Sequence, residues 1–245
     1  WWLLAKFALP FYLAFIITLI FMIFFGILVQ IIILRPLIGE PIISIIMVTI
    51  GLSIFFQAMM NWMFGVFTEP FPEIFSQSSI NIFGLNVQTV YLMSGLISIL
   101  IMISFAVFFK KSKLGLAMRA TAFDQQAAQS LGVSVKQVFA AAWAISAMVS
   151  AVAGVVFGIV NGISSGIAFM GIKVFPAVIL GGLDSVLGAI LGGLVIGLLE
   201  HFAHYIDVQF LNVGNLIRIA PFYALIIILM IKPYGFFGTK DIERV

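Results

Sequence analysis

Apolar runs of about twenty residues recur along this chain between short polar breaks, and that pattern admits few folds. A helix needs about 20 apolar residues to cross a hydrocarbon core of roughly 30 Å. A backbone inside lipid must also satisfy its own hydrogen bonds, which leaves helices or a closed barrel. Composition removes the soluble alternative: 63% of the 245 residues are hydrophobic, 9% are charged and the mean hydropathy is +1.26. Soluble domains carry about 25% charged residues. The expected fold is all-α, a polytopic transmembrane helical bundle.

The runs can be placed in order. Residues 7–34 form the first and end at Arg35-Pro36, where the proline stops the helix. Residues 42–62 and 88–109 follow, with the longest loop, residues 64–87, between them. Residues 138–160 form the fourth run, and Gly154, Gly158, Gly162 and Gly166 lie four apart in and beyond it. That spacing stacks them on one helical face, which predicts close helix packing as far as the helix lasts. Residues 169–180 are too few to span, contain Pro176 and end in Gly181-Gly182-Leu183-Asp184-Ser185. They read as a short or re-entrant half-helix, with a short tilted span as the alternative. Residues 186–203, carrying Gly188/Gly192 and Gly193/Gly197 pairs, and residues 216–231 complete about six spans plus one half-helix. Asp184 or Ser185 suits the N-cap of the fifth span. Lys232-Pro-Tyr-Gly235 caps the last one, and a polar tail follows to Val245.

Charge sets the orientation. Arg35, Lys110, Lys111, Lys113, Arg119, Lys136, Lys232, Lys240 and Arg244 fall on one side, against Lys6, Lys173 and Arg218 on the other. The positive-inside rule makes the first side cytoplasmic. The loop with Glu69 and Glu73 then faces outward, either as a contact for an extracytoplasmic protein or as a solvated loop. The net charge of +3 belongs to this rim, and with no soluble basic face nucleic acid is not an expected partner. With no cysteine there is no disulfide or thiolate site. The opening Trp1-Trp2 is unlike a cleavable leader and fits an internal stretch of a longer chain.

One polar island, residues 110–136, interrupts the oil. After Lys110-Lys-Ser-Lys113 and Leu114-Gly-Leu-Ala-Met-Arg119, Asp124 is a good N-cap, residues 125–131 are mostly helix formers, and Gly132 suits the C′ position. A discrete helix of about 12 Å is expected. Ser134-Val-Lys-Gln137 matches a capping box for the next span. The short helix either lies in the interface as an amphipathic segment or meets a protein groove, which Ala127, Ala128 and Ser130 suit better.

Chemistry-bearing clusters are few. Glu200, His204 and Asp207 share a helical face and have the side chains of a zinc site, but their place at a span end favours a solvated helix terminus. Glu200 itself borders apolar turns, where an ionisable group is a candidate for the transport pathway. No Gly-x4-Gly-Lys loop for ATP and no nucleophile–base arrangement occurs, so neither an enzyme nor a bound cofactor is expected. No chain of intramembrane carboxylates is present to run an ion relay.

Two long blocks carry a resemblance. Gln126-Ala-Ala-x3-Gly132 has the spacing of the Glu-Ala-Ala-x3-Gly loop of ABC importer permeases. Residues 114–124 with Ala128 and Leu131-Gly-Val133 resemble branched-chain amino acid permeases of the Liv type. So do Phe175-Pro-Ala-Val-Ile-Leu-Gly-Gly182 through Gly193, then Gly197 and Glu200, and the ending Lys232-Pro-Tyr-Gly-Phe-Phe-Gly238. The resemblance implies a multi-pass permease domain over residues 1–245, in a bacterial or archaeal inner membrane, lacking the family's first two spans. It implies transport of small hydrophobic amino acids or related amides or urea. It also implies a second homologous permease subunit, two cytosolic ATP-binding subunits and an extracytoplasmic binding protein as partners, with membrane lipid around them. Residues 110–136 would be the coupling loop, through Arg119, Asp124, Gln126, Ala127, Ala128, Leu131 and Gly132. Pro176, Gly181, Gly182, Asp184 and Glu200 would form the pathway or its hinge. Two positions depart from the pattern: Gln126 replaces a Glu, and Asp184 stands where a Gly is common. The alternative reading is a self-sufficient channel or secondary transporter.

Overall fold

The computed structural model describes residues 2–238 apart from Glu73, residues 75–77, Phe83, Asp184 and Pro233. The polar tail beyond residue 238, with Lys240 and Arg244, therefore lies outside the described residues, as do Glu73 and Asp184. The chain folds as two compact units, Trp1–Ile167 and Ala168–Val245.

The first unit opens with α1 (Trp2–Phe7) and α2 (Phe11–Val29). The first run starts at Phe11 rather than residue 7, because Pro10 has a fixed φ and no N–H and so sits naturally just ahead of a helix. α2 runs on through a π-helical turn, Gln30–Leu34, and a 3₁₀ turn, Arg35–Leu37, so the span reaches Leu37. α3 (Ile42–Phe64), a hairpin of β1 (Ser79–Ile82) and β2 (Leu85–Gln88), and α4 (Thr89–Lys111) follow. Next come α5 (Lys113–Phe123), α6 (Gln125–Ser130) and α7 (Val135–Asn161).

The close helix contact of this unit is α2 on α7, and a different glycine makes it. A Cβ at Gly26 would stand 2.6 Å from the Trp143 carbonyl oxygen and 2.9 Å from the Ala147 methyl. The expected glycine face of α7 does not pack a helix. α7 ends at Asn161, Gly162 turns out of it with φ 75, Gly154 has open space, and Gly158 meets the Phe71 and Ile163 side chains. The loop after α3 also has structure that its polarity hides. Its hairpin pairs Ile80 with Val87 and Ile82 with Leu85 around Gly84, which has φ 84. Nearer α3, Glu69 and Ile163 exchange backbone hydrogen bonds of 2.8 Å in both directions, tying the loop after α3 to the end of α7.

The second unit holds α8 (Ala168–Gly181), α9 (Val186–Ile206), a π-helical turn at Asp207–Leu211, and α10 (Leu216–Ile231). Among the described residues five helices are long and apolar enough to cross a membrane: Phe11–Leu37, Ile43–Phe64, Thr89–Lys111, Val135–Asn161 and Val186–Leu211. Ser165–Gly181 and Leu216–Ile231 are shorter apolar helices. The expected sixth full span is thus a helix of 16 residues, about 24 Å long. The all-α polytopic architecture holds. Many large apolar side chains on these helices are exposed, as a chain surrounded by lipid requires.

Two helix starts that look alike in sequence differ in structure. Ser185 Oγ accepts the Gly188 N–H at 3.0 Å. Ser134 makes no such bond: the amides of Gln137 and Val138 both turn to the Ser134 backbone carbonyl, so the capping box does not form. Ser185→Ala is accordingly expected to cost about 1 kcal/mol and Ser134→Ala less than about 0.5 kcal/mol. Thermal unfolding of the purified protein in detergent checks the pair, and equal losses would contradict it.

Candidate functional site

The polar island folds as two helices. Lys110 and Lys111 close the last turn of α4, where cations suit the helix dipole. Ser112 then ends α4 and caps α5, its Oγ accepting the Gly115 N–H at 2.8 Å. Gly115 is required at this corner, since a Cβ there would run into the Phe109 carbonyl. Arg119 donates from Nη1 to that same carbonyl oxygen, and its guanidinium stands 5.5 Å from the Phe109 ring centroid. Arg119 therefore braces α5 on the end of α4 instead of facing outward. Beyond the brace, a cleft of about 850 Å³ opens between α4, α5 and α7, lined by Phe105, Met118, Phe139 and Val149 among others.

α6 is the expected short helix, capped at both ends. Asp124 Oδ1 accepts from the amides of Gln126 at 2.8 Å and Ala127 at 2.9 Å. At the other end Val133 N–H bonds to Ala128 O and Gly132 N–H to Gln129 O, with Gly132 at φ 85. That is a Schellman closure, which uses glycine to reach the left-handed region. Gln126 and Ala127 are exposed, and Leu131 is 84% exposed. Ala128 is not part of this outer face: it is 2% exposed and packs within its own unit. Phe123, which sequence reasoning passed over, is 95% exposed immediately before the cap.

In the second unit a broken helix doubles back on its neighbour. α8 has Pro176 in its interior, fully buried, and ends at Gly181. Gly182, at φ 103, starts the turn that Ser185 closes. Here the glycines permit backbone contact between helices. A Cβ on Gly188 would be built into the Gly181 carbonyl, and one on Gly192 into the Ala177 carbonyl. Gly193 and Gly197 have open space instead. Past the stretch expected as a simple cap, Lys232-Pro-Tyr-Gly235, the chain returns to this turn: Phe236 N–H donates to Leu180 O at 2.9 Å and Phe237 N–H to Gly181 O at 3.1 Å. The carbonyls freed at the end of α8 are satisfied this way.

Glu200 is not at the turn. It lies further along α9, and its Oε1 is 3.1 Å from Lys173 Nζ on α8, the two side chains 19% and 17% exposed in the order Lys, Glu. Asp207 serves the backbone: Oδ1 accepts from Val213 and Gly214 at 2.9 and 3.0 Å, and Oδ2 from Leu216 at 3.1 Å. Its carboxylate holds the link from α9 to α10.

The family model described as branched-chain amino acid transport system / permease component matches residues 1–231. The chain belongs to that permease family. The high-affinity branched-chain amino acid transport system permease protein LivH of Salmonella typhimurium is 30% identical over 219 residues, 86% of this chain and 69% of the relative. BraD of Pseudomonas aeruginosa is 32% identical over 230 residues, 90% and 72% of the two chains. A probable LivH of Methanocaldococcus jannaschii is 26% identical over 176 residues, 70% and 55%. No solved structure matches.

The permease is thus a multi-pass protein of the inner membrane and a transport subunit. Its fold sets Gly181 and Gly182 at one turn with Pro176 in the helix that leads into it, and Asp124, Gln126, Ala127, Leu131 and Gly132 on one short helix and its caps. Gly115, Phe123 and Lys173 were not singled out by motif. A further residue was legible but ignored: Gln30, a lone amide in the first apolar run, is 2% exposed, and its Nε2 meets no hydrogen-bond partner among the described residues. It opens the π-helical turn, a feature that recurs at functional sites.

Proposed function

We propose that this permease is the membrane-spanning subunit of an ATP-driven importer for branched-chain amino acids, with ATP hydrolysed by two cytosolic partner subunits. A second permease subunit and an extracytoplasmic binding protein complete the assembly. The observation that carries this reading is α6, a doubly capped helix with an exposed outer face on a chain that is otherwise built for lipid. A six-residue helix is far below the length of about 12–15 residues that sustains itself in water. Its caps hold a rigid object for something to grip. Gln126, Ala127 and Leu131 form the docking face, Phe123 flanks it, and Arg119 with Gly115 transmits displacement to α4 at the Phe109 corner. The broken α8 and its glycine contacts on α9 supply the part that moves around the pathway. The relatives' names support the substrate class.

Reconstitution tests it. Full-length permease with its partner subunits in proteoliposomes is expected to accumulate leucine only with ATP inside reach of the cytosolic subunits, and the permease alone is expected to do nothing. ATP-independent leucine uptake by the permease alone would make it a channel or carrier and overturn the reading.

A further inference from the structure

The Lys173–Glu200 pair is an unusual use of charge. Both residues sit on apolar helices of the second unit, Glu200 within the span Val186–Leu211. The pairing follows from helix geometry. α8 and α9 run antiparallel, side chains tilt toward each helix's own N-terminus, and the two long chains lean toward each other. A buried pair fixed for structure alone needs further hydrogen bonds to satisfy its remaining lone pairs and protons. This one has none of that support: no aligned hydrogen bond reaches Glu200 Oε1, and no other polar contact reaches Lys173 among the described residues. Among the described residues neither charge has another partner, although both side chains are partly exposed. An ionisable residue within an apolar spanning helix, as Glu200 is, is retained for function more often than for stability.

We propose that this pair is an exchange site for the two charged ends of a zwitterionic amino acid. The pair opens, Glu200 takes the α-ammonium and Lys173 the α-carboxylate, and the number of unpaired charges does not change. No bond is made or broken and no proton moves. A neutral amide or urea has no means of replacing either partner, so the site selects zwitterions within the range of small solutes that such a pathway admits. The inference rests on the importer reading and names the substrate class at the pathway of that reading.

The test uses the assembled transporter with radiolabelled leucine as probe. Three forms are compared: wild type, Lys173→Met/Glu200→Gln, and the charge swap Lys173→Glu/Glu200→Lys. Removing both charges leaves no uncompensated ion, and the swap keeps a pair, so both variants are expected to assemble. Leucine uptake is expected to fall about tenfold or more in each, the loss appropriate to charge-assisted contacts. Wild-type uptake in either variant would overturn the site. So would loss of assembly in the neutral form with rescue of both assembly and uptake by the swap, which would identify a structural staple. A wild-type complex that imports no leucine with ATP would instead overturn the importer reading, and this site with it.

Discussion

Leucine uptake by a transporter carrying Gly188→Ala is expected to fall about tenfold or more, and the protein to lose about 1–3 kcal/mol or more of stability. The new methyl would be built into the Gly181 carbonyl and against Phe237. Relief by a backbone shift is opposed from behind, because the Gly181 carbonyl is held by the Phe237 N–H. Gly193→Ala, five residues further along α9, is the control. A Cβ there meets nothing within 4 Å, and alanine is the better helix former by up to about 1 kcal/mol. Thermal unfolding of the two purified variants separates the explanations. Equal stability would show that the helices have room to spare and that the glycines are not contact residues.

Asp124→Ala is expected to uncouple the machine. It removes the acceptor for two amides at the start of α6, worth about 1 kcal/mol. In a helix this short that loss is spread over six residues, so the docking object frays. The expected result is several-fold less leucine moved per ATP hydrolysed, with Asp124→Asn close to wild type because asparagine caps as well as aspartate. Uptake and phosphate release measured in the same vesicles decide it. If the asparagine form fails as badly as the alanine form, the carboxylate charge and not the cap is what the partner uses.

How much of this was legible depended on the distance over which each feature is determined. α6 is fixed within nine residues, and Asp124 and Gly132 announced its ends in the sequence. The Ser134 motif was equally local but misleading, since the first turn of α7 closes on the backbone carbonyl and leaves the side chain unused. The hairpin at residues 79–88 had its signal in the alternation of Ile80 and Ile82, then Leu85 and Val87, about Gly84; the acidic, proline-bearing stretch before it masked that. α5 was hidden because its start is a single serine cap at Ser112 rather than a change in composition. The glycines needed spatial knowledge. Gly188 and Gly192 fitted a packing motif and do pack, whereas Gly154 and Gly158 fitted it equally well and meet no helix. Ala128 looked like a docking residue by size, and only its burial shows that it faces inward. Nothing local to Phe236 or Leu180 predicts that they bond to each other.

The return of the Phe236–Phe237 segment to the end of α8 also bears on how the chain is made. Fifty-six residues separate Leu180 from Phe236. At about 5–20 residues per second, the ribosome needs roughly 3–11 s to deliver the second after the first. Throughout that interval the carbonyls of Leu180 and Gly181 are without their eventual donors. Until then the last turn of α8 lacks the two donors that close it, and synthesis of the stretch through Phe237 is what supplies them.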